Sequence, residues 1–337
     1  LTNKVKIALL LLLPIPVLLG SLFIGPSVAV APGRVIAWLA MRLGLTPADG
    51  SPAATMVQLV IEDVRGPRVL LAFLVGGSLS IAGVALQAMF RNPLVSSYIL
   101  GLQSGTAFGA ALALCTAWLP VQLSAFVFGL LAVFTSFFLA RKDGKISSVT
   151  LILSGIVVTG IFTALLTIVQ VLTDPFKLQA VVHWTMGNLH TASWAKLRTT
   201  WWLMAMGIGG LFFFRWRMNV LALGDDETRA VGLNPERQKA WLLLFSTLAA
   251  SAAVSVAGVI GMVGLVIPHM VRMLIGADNK MAVPVCFTFG GAFLVLVDNI
   301  SRTVVTFEIP IGIFTTLIGG PFFILLLKKA KIGWELE

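Results

Sequence analysis

Charge is scarce in this 337-residue sequence: Asp, Glu, Lys and Arg together make up 11% of it, where water-soluble domains carry about 25%. With 58% hydrophobic residues and a mean hydropathy of +0.98, too few polar groups remain to coat a soluble fold of this size. A cytoplasmic enzyme, a nucleic-acid binder and a disordered regulator are excluded together. Cysteine is nearly missing as well. Cys115 and Cys286 lie in separate apolar runs, which leaves no disulfide framework and no cysteine-based zinc spacing. Both read as packing residues. Histidine numbers three, and His183, His190 and His269 fall on different segments without forming an H-E-x-x-H pair. The phosphate-cradling G-x-x-x-x-G-K-[ST] loop is also missing, because Gly144-Lys145 is followed by Ile146. The chain therefore does not hydrolyse ATP by itself, and no metal or cofactor of its own is expected.

Acidic residues are absent from the middle of every apolar segment, where an ion-coupled transporter generally needs them. The nearest is Asp298, and Arg302 four residues on shares its helical face, so a local ion pair accounts for it. Asp225, Asp226 and Glu227 form an acidic cluster without the second acidic motif that Mg-diphosphate chemistry requires. It reads as a solvated loop.

What the sequence has in abundance is long apolar runs, near 7–31, 69–90, 99–117, 121–140, 149–172, 199–214, 240–257, 259–273, 282–300 and 309–327. At about 20 residues per crossing this is an all-α polytopic membrane protein, a bundle of about ten transmembrane helices filling a single domain over residues 1–337. The run from Ile7 to Ala31 exceeds a signal-peptide core and reads as a retained first span. Placing the N-terminus inside puts sixteen Lys and Arg on the cytoplasmic side and eight outside. That bias sets both termini in the cytoplasm and explains the net charge of +10 without nucleic acid. Two outer segments, 32–66 and 173–198, and one inner loop, 215–239, are too long for simple turns. Gly101, Gly105 and Gly109 stand four apart, and Gly258, Gly261 and Gly264 three apart, as close helix packing in lipid requires.

Specific words then become legible. Arg65-Gly66-Pro67-Arg68, Gly76-Gly77, Ala82-Gly83, Gln87, Asn92-Pro93-Leu94 and Leu100-Gly101 come first. Trp184-Thr185-Met186-Gly187 follows, then Leu221-Ala222-Leu223-Gly224-Asp225 with Ala230-Val231-Gly232-Leu233. Gly264-Leu265-Val266-Ile267-Pro268-His269, Pro310-Ile311-Gly312 and Gly319-Gly320-Pro321 complete the order. Over residues 5–330 the chain resembles the membrane permeases of bacterial ABC importers for iron siderophores, haem and cobalamin. It departs at Asp225, where Glu is usual.

The resemblance implies an inner-membrane permease paired with a second copy, two cytoplasmic ATPase subunits that bind ATP and Mg, and an extracytoplasmic substrate-binding protein. It implies that Arg65, Arg68 and Arg302 form an outer docking site for the binding protein. Gly224, Asp225, Asp226, Arg229, Gly232 and Leu233 would belong to short helices seated in an ATPase cleft. Ser147, Ser148 and Thr150 would line an inner gate. The cargo is expected to be a metal chelate, with a small oxyanion such as molybdate also compatible. An ion-coupled secondary transporter is the alternative, and a membrane-embedded transferase ranks third.

Overall fold

The computed structural model describes residues 3–25, 30–47, 50–142, 145–305 and 307–329. Fifteen α-helices occur in them. The first two, α1 (Asn3–Leu12) and α2 (Pro14–Ser21), are nearly continuous, and α3 (Pro32–Arg42) and α4 (Pro52–Leu59) follow. A π-helical turn, Val60–Arg65, joins α4 to α5 (Gly66–Phe90). Next come α6 (Leu102–Thr116), α7 (Val121–Ala140), α8 (Ser148–Leu172), α9 (Pro175–Thr185), α10 (Trp194–Leu223) and α11 (Asp225–Ala230). The chain ends with α12 (Pro235–Ala257), α13 (Val263–Ile275), α14 (Asn279–Ser301) and α15 (Ile311–Lys329). The turn between α7 and α8 carries a two-residue antiparallel pairing, Arg141 with Ile146 and Lys142 with Lys145.

Each of the ten apolar runs meets a helix, and the boundaries correct the sequence reading in three places. The first helical stretch stops at Ser21 rather than Ala31, and residues 26–29 lie outside the described residues. Of the 32–66 segment, residues 52–65 are helical and continue into α5 as one stretch of 39 residues. Arg215 and Arg217 belong to α10, so the inner loop shortens to the residues around α11. Among the described residues six helices are long and apolar enough to cross a membrane, while α13 and part of α15 are shorter apolar helices.

The interior is built on α5, of which 83% of the most apolar window is buried, with α12 at 72% and α14 at 61%. Small residues make this possible. A Cβ on Gly76 would stand 2.3 Å from the Gly290 carbonyl oxygen, and one on Gly290 1.9 Å from Ser80 Oγ. The α5 and α14 backbones therefore touch where only glycine fits, the close approach by which helices associate in lipid. Gly105 and Gly109 face α7 in the same way, through Phe128 and Ser124, so the small-residue spacing is a packing signal. By contrast α8 is only 17% buried, with Leu153, Ile156, Val157, Ile161 and Ile168 exposed along it.

Candidate functional site

Two polar constructions stand at opposite ends of α5. At its N-terminal end the π-turn closes with Gly66 N donating to the Ile61 carbonyl. Trp194 Nε1 donates to the carbonyl of Glu62, within that turn, at 2.8 Å, fixing the start of α10 to the turn. The arginines at this end converge. Arg68 grips Asp298 with Nε 3.0 Å from both carboxylate oxygens and Nη2 2.8 Å from Oδ1, and its Nη1 donates to Glu308 Oε1 at 2.8 Å. Arg302 Nη2 donates to the Ser21 carbonyl at 3.1 Å and also to Asn299 Oδ1. Asn299 Nδ2 in turn reaches Ser21 Oγ at 2.7 Å. Arg65 Nη1 donates to the Leu22 carbonyl at 2.5 Å.

Arg65, Arg68 and Arg302 are 3%, 6% and 4% exposed within this chain and form a buried anchor. A buried guanidinium must be paired or hydrogen-bonded, and these three turn to the carboxylates of Asp298 and Glu308 and the carbonyls of Ser21 and Leu22. The expected ion pair of Asp298 with Arg302 is present at 3.8 Å, and Arg68, 230 residues away, adds the hydrogen-bonded partner that the sequence did not reveal. Three guanidiniums against Asp298 and Glu308 leave one positive charge in excess, and Arg65 Nη2 and Arg302 Nε have no hydrogen-bond partner. Glu308 lies outside the helices. Burial pushes its carboxyl up, but the hydrogen bond and charge of Arg68 outweigh this and hold it below the usual range. His190 stands T-shaped to His183 with ring centroids 5.7 Å apart. Partial burial lowers its imidazole, opposed by Glu308 and reinforced by His183, Lys196 and Arg68.

At the other end of α5 stands α11. Thr228, fully buried, donates through Oγ1 to the carbonyl of Gly224 at 2.5 Å and of Val220 at 3.3 Å. Lys239 Nζ reaches Asp225 Oδ2 at 2.7 Å, tying α12 to the same unit. Asp226, Arg229, Val231 and Gly232 remain exposed, with Arg229 paired to Asp226 at 2.8 Å. The helix ends in a Schellman turn: Gly232 N donates to the Arg229 carbonyl at 2.9 Å and Leu233 N to the Thr228 carbonyl at 3.1 Å. The result is a polar, exposed helix held rigidly by two long helices. Sequence reasoning located this loop but missed Lys239 and Thr228, since a lysine 14 residues from its carboxylate carries no local signature.

The gate residues stand together at the start of α8. Ser147 is exposed, with extended backbone and no capping bond from its side chain. Thr150 is exposed. The side chain of Ser148, with Asp143 and Gly144, lies outside the described residues.

An apolar helical bundle with an internal charge anchor at one end and a braced, exposed polar helix at the other has the architecture of a multispan membrane protein. The chain belongs to the FecCD transport family, whose profile matches residues 10–329. It is 37% identical to the cobalamin import system permease protein BtuC of Halobacterium salinarum, over 82% of this chain and 75% of that one. To the molybdate import system permease protein MolB of Haemophilus influenzae it is 39% identical, over 82% and 83%. A solved metal-chelate-type ABC transporter in an inward-facing conformation matches with a TM-score of 0.84 at 33% identity, over 97% of this chain and 100% of the other.

Proposed function

We propose that this chain is the membrane subunit of an ATP-driven importer that moves a metal chelate across the bacterial inner membrane. Two copies form the conduit, each with ten spans and both termini in the cytoplasm, served by two ATPase subunits and an extracytoplasmic binding protein. The observation that carries this reading is the braced helix α11, whose exposed face and Schellman turn suit a rigid contact with a cytoplasmic partner. Family membership supports it. ATP and Mg belong to that partner, and this chain transmits the motion it generates. Ser147, Ser148 and Thr150 serve as the inner constriction, at the start of α8, a helix little buried within one subunit. At the outer end the binding protein docks on the surface over the arginine anchor, beside Glu308. Arg65, Arg68 and Arg302 hold that surface in place from beneath.

The test is reconstitution of the chain in proteoliposomes with its cognate ATPase and binding protein. Uptake of a ferric chelate or cobalamin that requires both partners and ATP is the expected result. Uptake driven by a proton or sodium gradient without ATP would establish the secondary-transporter alternative instead.

A further inference from the structure

The groove between α10 and α12, at the end where both meet α11, carries arginines without a carboxylate to meet them. Arg217 of α10 is half-buried; its Nη1 donates to Gln238 Oε1 of α12 at 3.2 Å. Its Cζ lies 4.8 Å from the ring centre of Phe214 and 5.7 Å from that of Phe213. Phe214 in turn meets Trp241 of α12, with ring centroids 6.3 Å apart. Further along, Gly210 packs on Phe245 and Gly207 on Ala249, so the two helices run antiparallel and Arg217 is level with the first turns of α12. Arg237 is exposed there, four residues before Trp241 and on the same helical side. The two guanidiniums therefore flank one aromatic cluster. Neither takes part in an ion pair among the described residues, because the carboxylates of Asp225, Asp226 and Glu236 are taken by Lys239 and Arg229.

The exposed side of α10 indicates what this groove faces. Positions 202, 206, 209, 213 and 216 are all exposed, at spacings of three and four that put them on one side of the helix. Trp202, Met206, Phe213 and Trp216 supply its side chains. From Trp202 to Trp216 the stripe covers about 21 Å at 1.5 Å per residue, with tryptophan at each end, as at the two boundaries of a bilayer. Such a stripe suits acyl chains rather than a water-soluble partner. Arg217 follows Trp216 directly and so sits at headgroup level. Arg215, two residues back, is turned about 200° round the helix, away from the groove. Gln238 holds one edge of the Arg217 guanidinium, and its Nε and Nη2 make no hydrogen bond among the described residues. Free guanidinium edges pair with phosphate bidentately, and basic pockets between membrane helices take anionic headgroups.

We propose that this groove binds one anionic phospholipid from the leaflet on the α11 side, its phosphate between Arg217 and Arg237 and an acyl chain running past Phe213 along the exposed stripe of α10. The lipid is then part of the brace of α11. Arg237 and Gln238 immediately precede Lys239, whose Nζ reaches Asp225 Oδ2 at 2.7 Å, so a phosphate that joins α10 to the start of α12 steadies the turn from which α11 is held. Binding rests on the groove alone; its consequence for coupling rests on the reading of α11 as the ATPase contact.

The experiment uses the assembled transporter, permease with ATPases, in a neutral detergent. It is titrated with dioleoylphosphatidylglycerol or dioleoylphosphatidylcholine, and bound lipid is counted by native mass spectrometry. Saturable binding of phosphatidylglycerol, one per permease chain and tighter than phosphatidylcholine, is expected. Arg217→Gln and Arg237→Gln should each weaken it about fivefold, the share of one basic residue in attraction to an anionic lipid, and the double variant about 25-fold. Arg215→Gln removes the same charge outside the groove and should bind as the parent does. The exposed Arg237 keeps the test valid if Arg217→Gln misfolds. Equal affinity for the two lipids, binding that does not saturate, or an Arg237→Gln affinity equal to that of Arg215→Gln would each overturn the site. In proteoliposomes, ATP hydrolysed per chelate transported should fall as phosphatidylglycerol replaces phosphatidylcholine, and the double variant should not respond; a parent that does not respond would overturn the lipid's part in the brace. None of these outcomes touches the importer reading, which fails only if ATP drives no uptake in either lipid.

Discussion

Gly232 offers the sharpest test of coupling, because its backbone and its surroundings make opposite demands. Its φ is +78°, yet nothing lies within 4 Å of a Cβ built there. Side-chain bulk therefore fits within this chain, while the backbone conformation disfavours any L-residue by about 1–2 kcal/mol. Asn tolerates this region best, Ala less and the β-branched Val least. At 1.4 kcal/mol per factor of ten, Val should lower the population of the native turn by roughly tenfold or more, leaving α11 with a frayed C-terminus. The bundle is untouched, since Thr228 and the Lys239 to Asp225 bridge still anchor the helix start. In proteoliposomes, ATP hydrolysed per chelate transported should rise in the order Gly, Asn, Ala, Val, with thermal stability of the permease nearly constant. Wild-type coupling in a folded Gly232→Val protein would refute the assignment of this turn to the ATPase contact. If Asn proved as damaging as Val, surface bulk in the partner's cleft rather than turn geometry would be the cause.

Removing one member of the buried Arg68 to Asp298 pair should destabilise by about 3–5 kcal/mol, and the two ends differ. Arg68→Leu leaves Asp298 with Arg302 at 3.8 Å and belongs at the lower end, whereas Asp298→Leu leaves three guanidiniums with Glu308 alone and belongs at the upper. The double variant should be less harmful than either single one when unfolding is followed in mixed detergent micelles; strictly additive losses would show that the pair is not energetically coupled. Acid should loosen the same end in two stages. The imidazole of His190 is lowered in the folded protein, so its contribution is complete above about pH 6.5 and declines as pH falls toward the folded value. The lowered Glu308 carboxyl contributes fully above its ordinary value of 4.5 and is lost as pH falls through its depressed one. Thermal unfolding between about pH 2.5 and 8 should show both steps, and His190→Asn should remove the upper one.

Much of this protein is written locally. The apolar runs, interrupted by charges and prolines, determine that the chain spans a bilayer as helices, because each run is long enough to satisfy its own backbone hydrogen bonds in lipid. The position of the α11 loop is equally local, since Gly224 and Gly232 bracket a short polar stretch between two apolar runs. Tertiary structure alone decided which groups meet. Arg302 is the near neighbour of Asp298 in sequence, yet Arg68 makes the hydrogen bonds to the carboxylate, because the Gly76 and Gly290 contact lays α5 along α14 and brings its first turn beside Asp298. The same holds for the burial of the three arginines. An arginine near the end of an apolar run looks like an interfacial anchor or a docking group; that these face inward depends on where Ser21, Leu22 and Glu308 come to lie. The hydrogen bond from Gln103 Nε2 to the Ile260 carbonyl likewise joins residues 157 positions apart, and no periodicity within one segment records that meeting.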